Sequence, residues 1–235
     1  PQWEEFTSQI LPKWKKLSRN NMWHQYLQQL GIDCKQPVSK VVTHSSQVQP
    51  GDVFVAINSG WQYVDEALSL GAVKVISSRE HAGGDLRVVV VDDTTQWLMD
   101  LARLHRLSLS AQIIGVTGSV GKTSLTQLLK QVLQYEFGSQ VVATAGNQNN
   151  ELGVALTLLA ADQSTKYLVV EMGVAKKGDM DVLMSMVKPN ISVMTRVGPS
   201  HLAGLGSRQG VLNEKQKIGV GAAQVVLHDS IDVLP

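Results

Sequence analysis

The spacing of apolar residues changes twice along the chain. Over residues 1–30, Trp3, Phe6 and Ile10, then Trp14 and Leu17, then Trp23, Leu27 and Leu30 recur every three or four positions. That period predicts helix, with a break near Pro12 and a stop at Gly31. The tryptophans read as core or interface packing, with a partner-binding helix face as the alternative. From residue 40 the apolar runs shorten, and KVVTHS, DVFVAI, VKVIS and LRVVVVDD predict strands, the second following a Gln49-Pro50-Gly51 turn. A short helix, QYVDEALSLG, lies between the second and third runs. A longer helix spans Thr94 to about Leu107, with Trp97, Leu98, Leu101, Leu104 and His105 on one stripe and Asp93 or Thr94 as its cap.

Near Ala111 the pattern changes again. Strand QIIGVT, a glycine-rich loop, a helix from Lys122 to about Tyr135, strand QVVAT, helix ELGVALTLLA and strand YLVVEM follow in order. Then come a helix near 179–187, strand ISVMTRV, a helix near 207–218 and strand AQVVLHD. Strands alternate with helices, and YLVV is apolar without alternation, the mark of a parallel strand buried on both faces. The fold class is therefore α/β, a small N-terminal α/β domain followed by a phosphate-loop domain with a mostly parallel sheet.

Composition adds exclusions. Apolar residues make up 43% of the 235, enough for a real core. The 21 basic and 20 acidic residues nearly cancel, so no general field gathers nucleic acid or anionic membrane, and an anionic ligand needs a local site. No apolar run reaches the roughly 20 residues of a membrane span. Cys34 is the sole cysteine, which excludes an intrachain disulfide and a cysteine zinc cluster. There is no signal-peptide pattern, and the start at Pro1 rather than Met points to a processed or cut chain. The expected setting is cytoplasmic.

That local site is the loop Gly115-Val116-Thr117-Gly118-Ser119-Val120-Gly121-Lys122-Thr123-Ser124 between strand and helix. Glycines let backbone N–H groups turn inward, the helix N-terminus adds a positive dipole end, Lys122 brings a charge to phosphates and Thr123 a hydroxyl for Mg²⁺. The strict G-x-x-x-x-G-K-[ST] pattern is not met, since Val116 holds the first glycine position. No N-K-x-D element marks guanine specificity. Strand KYLVVEM ends in Glu171, an acid at the carboxyl edge where open α/β sheets bind ligands, placed to hold Mg²⁺ directly or through water.

Four blocks together resemble the Mur ligases of peptidoglycan synthesis: TGSVGKTS at 117–124, GNQNNELGVALTLL at 146–159, EMGVAKKGDM at 171–180 and VGPSHLAGLGSRQGVLNEKQKI at 197–218. THSSQVQPGDVFVAI at 43–57 is a weaker match to the family's UDP-sugar domain. The likeness is nearest the branch joining D-Ala-D-Ala to a UDP-MurNAc-peptide. Residues 1–38, a helical extension by their periodicity, have no clear counterpart in the family, and the likeness implies a UDP-substrate domain at 39–110 and an incomplete central ATPase domain at 111–235. It also implies ATP and Mg²⁺ as cofactors and an acyl phosphate intermediate. Gly118, Ser119, Val120, Gly121, Lys122, Thr123 and Ser124 would hold the nucleotide phosphates, and Asn147, Asn149 and Asn150 would donate amides to phosphate or substrate carboxylate. For these three the other reading is turn and cap chemistry. Thr123, Glu171 and His201 would serve Mg²⁺. Lys215, rather than Lys217, stands where many Mur ligases carbamylate a lysine.

Two departures follow. The family's Asp-Ser-Arg triplet reads His44-Ser45-Ser46, which removes a bidentate fork and leaves Ser45 as a candidate UDP-substrate contact. Only 113 residues follow Lys122, whereas the family continues through the rest of the ATPase domain and a C-terminal domain. A fragment of a full ligase, a natural truncation, or a chain completed by a partner all fit that arithmetic. The functional alternatives are a non-catalytic, ligase-like nucleotide-binding or regulatory protein, or a related ligase acting on another carboxylate.

Overall fold

A computed structural model describes residues 19–229, with side chains described from Met22 onward, so most of the helix expected over 1–30 lies outside the described residues. The chain divides between Ser108 and Leu109 into two compact units.

In the first unit, β1 (Val41–Val42), β2 (Val53–Val55), β3 (Lys74–Ser77) and β4 (Val88–Val90) form a wholly parallel sheet in sequence order. The strands are shorter than the apolar runs suggested; after β1 the chain turns at once into a 3-10 turn over Ser45–Gln47. Helix α1 (Arg19–Gln29) ends before Gly31, whose φ of +78° suits a residue without Cβ. Helix α2 (Val64–Ser69) packs Val64, Ala67 and Leu68 against Val42, Phe54 and Val75.

Helix α3 (Thr94–Ser108) buries the whole predicted stripe, Trp97, Leu98, Leu101, Leu104 and His105. Asp93 Oδ1 caps it, accepting from the N–H groups of Thr95 and Gln96. Thr94 Oγ1 instead donates to the Ala56 carbonyl just beyond β2. The Trp23 ring of α1 stacks on His105 of α3 at 5.2 Å, and Tyr26 meets both rings edge-on. Burial pushes the Tyr26 phenol up to about 12, against a weaker opposing hydrogen bond from Ser108.

The second unit contains β5 (Gln112–Thr117), α4 (Lys122–Phe137), β6 (Val141–Ala143), α5 (Glu151–Ala160), β7 (Tyr167–Glu171), α6 (Asp179–Val187), β8 (Ile191–Met194), α7 (Leu202–Leu205), α8 (Arg208–Lys215) and β9 (Gln224–Leu227). All strand pairs are parallel, in the order β6-β7-β5-β8-β9. The chain leaves central β5 toward one edge and returns past it to the other, so the loops after β5, β7 and β8 share one carboxyl edge. Register fixes this: Val116 lies beside Glu171, and Thr117 beside Met194.

Leu125, Leu129 and Leu133 of α4 pack on Ile114, Val116 and Val169. The helix expected over 207–218 divides into α8 and a 3-10 turn over Gln216–Gly219, and α7 was not foreseen. Coverage of the sheet is uneven, since Val225 and Val226 of β9 stay exposed. No helix among the described residues is long and apolar enough to cross a membrane.

Candidate nucleotide-binding site

The loop after β5 is built for close backbone approach. Gly118 has φ +148°, and a Cβ there would overlap Thr195 Oγ1. Gly121, at φ +87°, opens α4 with no side chain in the way. The first-turn N–H groups of Lys122, Thr123 and Ser124 have no partner within the helix. The loop is fastened from both sides. Thr117 Oγ1 donates to the Met172 carbonyl at 2.8 Å, and Thr195 Oγ1 to the Val120 carbonyl at 2.7 Å. The Ser119 N–H donates to the Arg196 carbonyl at 2.9 Å, while its hydroxyl meets the Gly198 carbonyl and Ser200 Oγ. Ser119 therefore places its N–H and its hydroxyl on the protein itself. The Val120 side chain is exposed at the loop tip, and Thr123 and Ser124 are exposed on the first turn.

Beside this loop lies a cleft of about 350 Å³ that brings Lys122, Asn149, Asn150, His201 and Lys215 together. Lys176 and Asp179 share its wall. Asn147 is exposed and outside this lining; its carbonyl accepts the Asn149 N–H. Asn150 is the N-cap of α5, its Oδ1 accepting from the Gly153 N–H at 2.9 Å, so the cap reading holds for that oxygen. His201 is exposed in the left-handed region, φ +52°, and starts α7. Ser45 belongs to the first unit.

Glu171 is fully buried at the end of β7. Its Oε1 accepts from Asn149 Nδ2 at 2.7 Å, its N–H donates to Thr144 Oγ1, and its Oε2 is buried without a hydrogen-bond partner. An unpaired carboxylate oxygen in a dry setting is costly unless a cation meets it. The residues therefore fit a divalent cation. Among the described residues no three His, Cys, Asp or Glu side chains form a metal cluster, so such an ion would draw further ligands from phosphates and water, as Mg²⁺ commonly does.

The two nearby lysines have different fates. Lys215 is 1% exposed, and burial, reinforced by the positive charge of Lys122 and opposed by Glu214, lowers its amine to about 8. Lys217 pairs with Asp181 at 2.6 Å and Glu214 at 2.9 Å, and those bonds raise its pKa.

Sequence reasoning missed Glu214 and Asp179. Glu214 Oε1 accepts the N–H groups of Gly178 and Met180, tying α8 to the start of α6. Asp179 Oδ2 accepts those of Ala175 and Lys176 in the cleft wall. Gly178-Asp179 carries a helix-start signal; for Glu214 no local signal exists.

Residues 116–229 match the Mur ligase middle domain. The chain is 34% identical over 184 residues to the UDP-N-acetylmuramoyl-tripeptide–D-alanyl-D-alanine ligase of Bacillus subtilis, covering 76% of this chain and 40% of that protein. The chain belongs to the Mur ligase family. The corresponding Mur ligase of Escherichia coli is 32% identical across 77% of this chain and 40% of its own length. Two solved Mur ligases share the fold. The MurF ligase of Thermotoga maritima, solved in complex with ADP, superposes with a TM-score of 0.72 at 32% identity, over 82% of this chain and 46% of that one. MurF from Acinetobacter baumannii gives 0.73 at 26% identity, over 85% and 45%. The chain spans about 40% of the length of the curated Mur ligases it matches.

Proposed function

We propose that this chain carries the nucleotide-binding part of an ATP-dependent carboxylate–amine ligase, one that adds D-Ala-D-Ala to a UDP-MurNAc-peptide in the cytoplasm. The observation that carries this reading is the meeting of Lys122, at the end of the glycine-rich loop, with Asn149, His201 and Lys215 on one cleft, where Asn149 holds the half-satisfied carboxylate of Glu171.

Backbone N–H groups of the loop and first turn, with Lys122, hold the ATP phosphates and offset charge on the transferring phosphoryl group. Thr123, Glu171 and His201 would hold Mg²⁺, which would supply neutralisation of phosphate charge. A carboxylate oxygen of the UDP-MurNAc-peptide attacks the γ-phosphorus, and ADP leaves. The D-Ala-D-Ala amine then attacks the acyl phosphate carbonyl, and the tetrahedral intermediate expels phosphate to leave an amide. An amine lowered to about 8 leaves Lys215 partly uncharged near neutral pH, the form that can take up CO₂ as a carbamate. In this reading 39–110 serves the UDP-substrate, with Ser45 as a contact, and 111–235 serves ATP.

The test is ATP cleavage by the purified chain with UDP-MurNAc-tripeptide and D-Ala-D-Ala, supplied singly and together. ADP release that requires both supports the ligase. Nucleotide binding without substrate-dependent cleavage points to a ligase-like binding protein, a reading motivated by His44-Ser45-Ser46. Cleavage driven by another carboxylate and amine points to a ligase with a different substrate.

A further inference from the structure

The asparagine block was expected to reach phosphate or substrate, yet Asn149 turns its amide toward protein. Its Nδ2 donates to Glu171 Oε1 at 2.7 Å. With Oε1 so engaged, Oε2 is the oxygen of this carboxylate left without a partner. The reverse amide orientation would set Oδ1 against a carboxylate oxygen, so the donor assignment follows from charge.

The backbone holds this pairing in place. The Gly173 N–H donates to the Asn149 carbonyl at 2.8 Å, and the Asn149 N–H to the Asn147 carbonyl at 2.8 Å. The Glu171 N–H donates to Thr144 Oγ1 at 2.9 Å. Gly173 also makes the room, since a Cβ there would lie 2.5 Å from Asn149 Oδ1 and 2.7 Å from its Cγ. Real Cβ atoms essentially never sit so close, so the asparagine side chain would have to shift away from this position.

We infer that Asn149 is a positioning residue that fixes the Glu171 carboxylate with Oε2 presented to a divalent cation, and that Gly173 exists to admit it. The inference rests on the proposed nucleotide site but assigns Asn149 to the carboxylate rather than to the nucleotide. A neutral donor suits the task. It anchors one oxygen without cancelling the charge that attracts the cation, as a lysine or arginine would. Partners that orient a ligating group commonly change metal affinity 10- to 100-fold when removed.

The test separates metal from nucleotide. Mn²⁺ is titrated into the whole chain with saturating ADP and followed by electron paramagnetic resonance; ADP is titrated separately in EDTA by calorimetry. The variants are Asn149→Ala, Gly173→Ala and Glu171→Gln. Expected is Mn²⁺ affinity weakened about 10-fold or more in Asn149→Ala and Gly173→Ala, with metal-free ADP affinity held within about 2-fold. Wild-type Mn²⁺ affinity in both variants, with Glu171→Gln weakened, overturns the positioning role and leaves the cation site standing. Metal-free ADP affinity that falls in Asn149→Ala overturns it in favour of direct nucleotide contact. Absence of ADP-dependent Mn²⁺ binding in the wild type overturns both this inference and the proposed function.

Discussion

Lys215 offers a direct check on how the cleft is wired. Its amine is lowered from 10.5 to about 8, first by burial, then by the charge of Lys122. The folded protein therefore binds this proton less tightly than the unfolded chain, and the linkage sign follows. Below pH 8 both states hold the proton, and the fold carries the full cost of a buried ammonium. As pH rises through 8 the folded amine loses its proton first, so stability rises until the unfolded lysine also titrates near 10.5. The whole shift corresponds to about 3 kcal/mol, of which about 2 kcal/mol is recovered between pH 7 and pH 9.5.

Lys215→Met replaces the amine with an apolar chain of similar length. At pH 7 the variant should be the more stable protein, and its advantage should shrink by about 2 kcal/mol at pH 9.5. Urea unfolding in CO₂-depleted buffer measures this. Circular dichroism is the suitable probe, because no tryptophan follows Trp97 to report on the second unit. Other lysines and tyrosines titrate in both proteins and cancel in the difference. A gap that does not change with pH would refute the claim that burial and Lys122 depress this amine.

Three further outcomes are expected. Gly118→Ala should abolish measurable ADP binding and lower stability by about 2 kcal/mol or more, since φ +148° and the overlap with Thr195 Oγ1 act together; calorimetry and urea unfolding read both effects. Glu214→Ala should cost about 3 kcal/mol by stranding the Gly178 and Met180 N–H groups and leaving Lys217 with Asp181 alone, with faster amide exchange at the start of α6. In an alkaline absorbance titration, one of the four tyrosines should ionise only near pH 12, and Tyr26→Phe should remove that step. The sign here is opposite to that of Lys215: the buried neutral phenol contributes stability that is complete below pH 10 and is lost as pH climbs toward 12.

The helices and strands were largely legible because their signals are local. QIIGVT and YLVV are continuous apolar runs, and both became central parallel strands. ELGVALTLLA became α5 without change of boundary, since Asn150 caps one end. Glycine spacing before Lys122 revealed the loop, and the end of an apolar strand revealed Glu171. What the sequence concealed depends on contacts between distant positions. Asn149 and Glu171 are 22 residues apart, and Glu214 reaches Gly178 across 36. No periodicity encodes such pairs, so nothing local to Asn149 pointed to Glu171, and nothing local to Glu214 pointed to Gly178. The short helix α7 was hidden for a related reason: four residues begun by a left-handed His201 carry too little pattern to predict.

Isothermal titration of ADP into the wild-type chain and Lys122→Ala asks whether the Gly118–Ser124 loop is a phosphate site at all. Removing a charge-assisted bond to phosphate is worth about 2 kcal/mol, so the variant should bind at least about 30-fold more weakly. Equal affinity in the two proteins, or no binding by the wild type, would contradict the assignment on which the ligase chemistry depends.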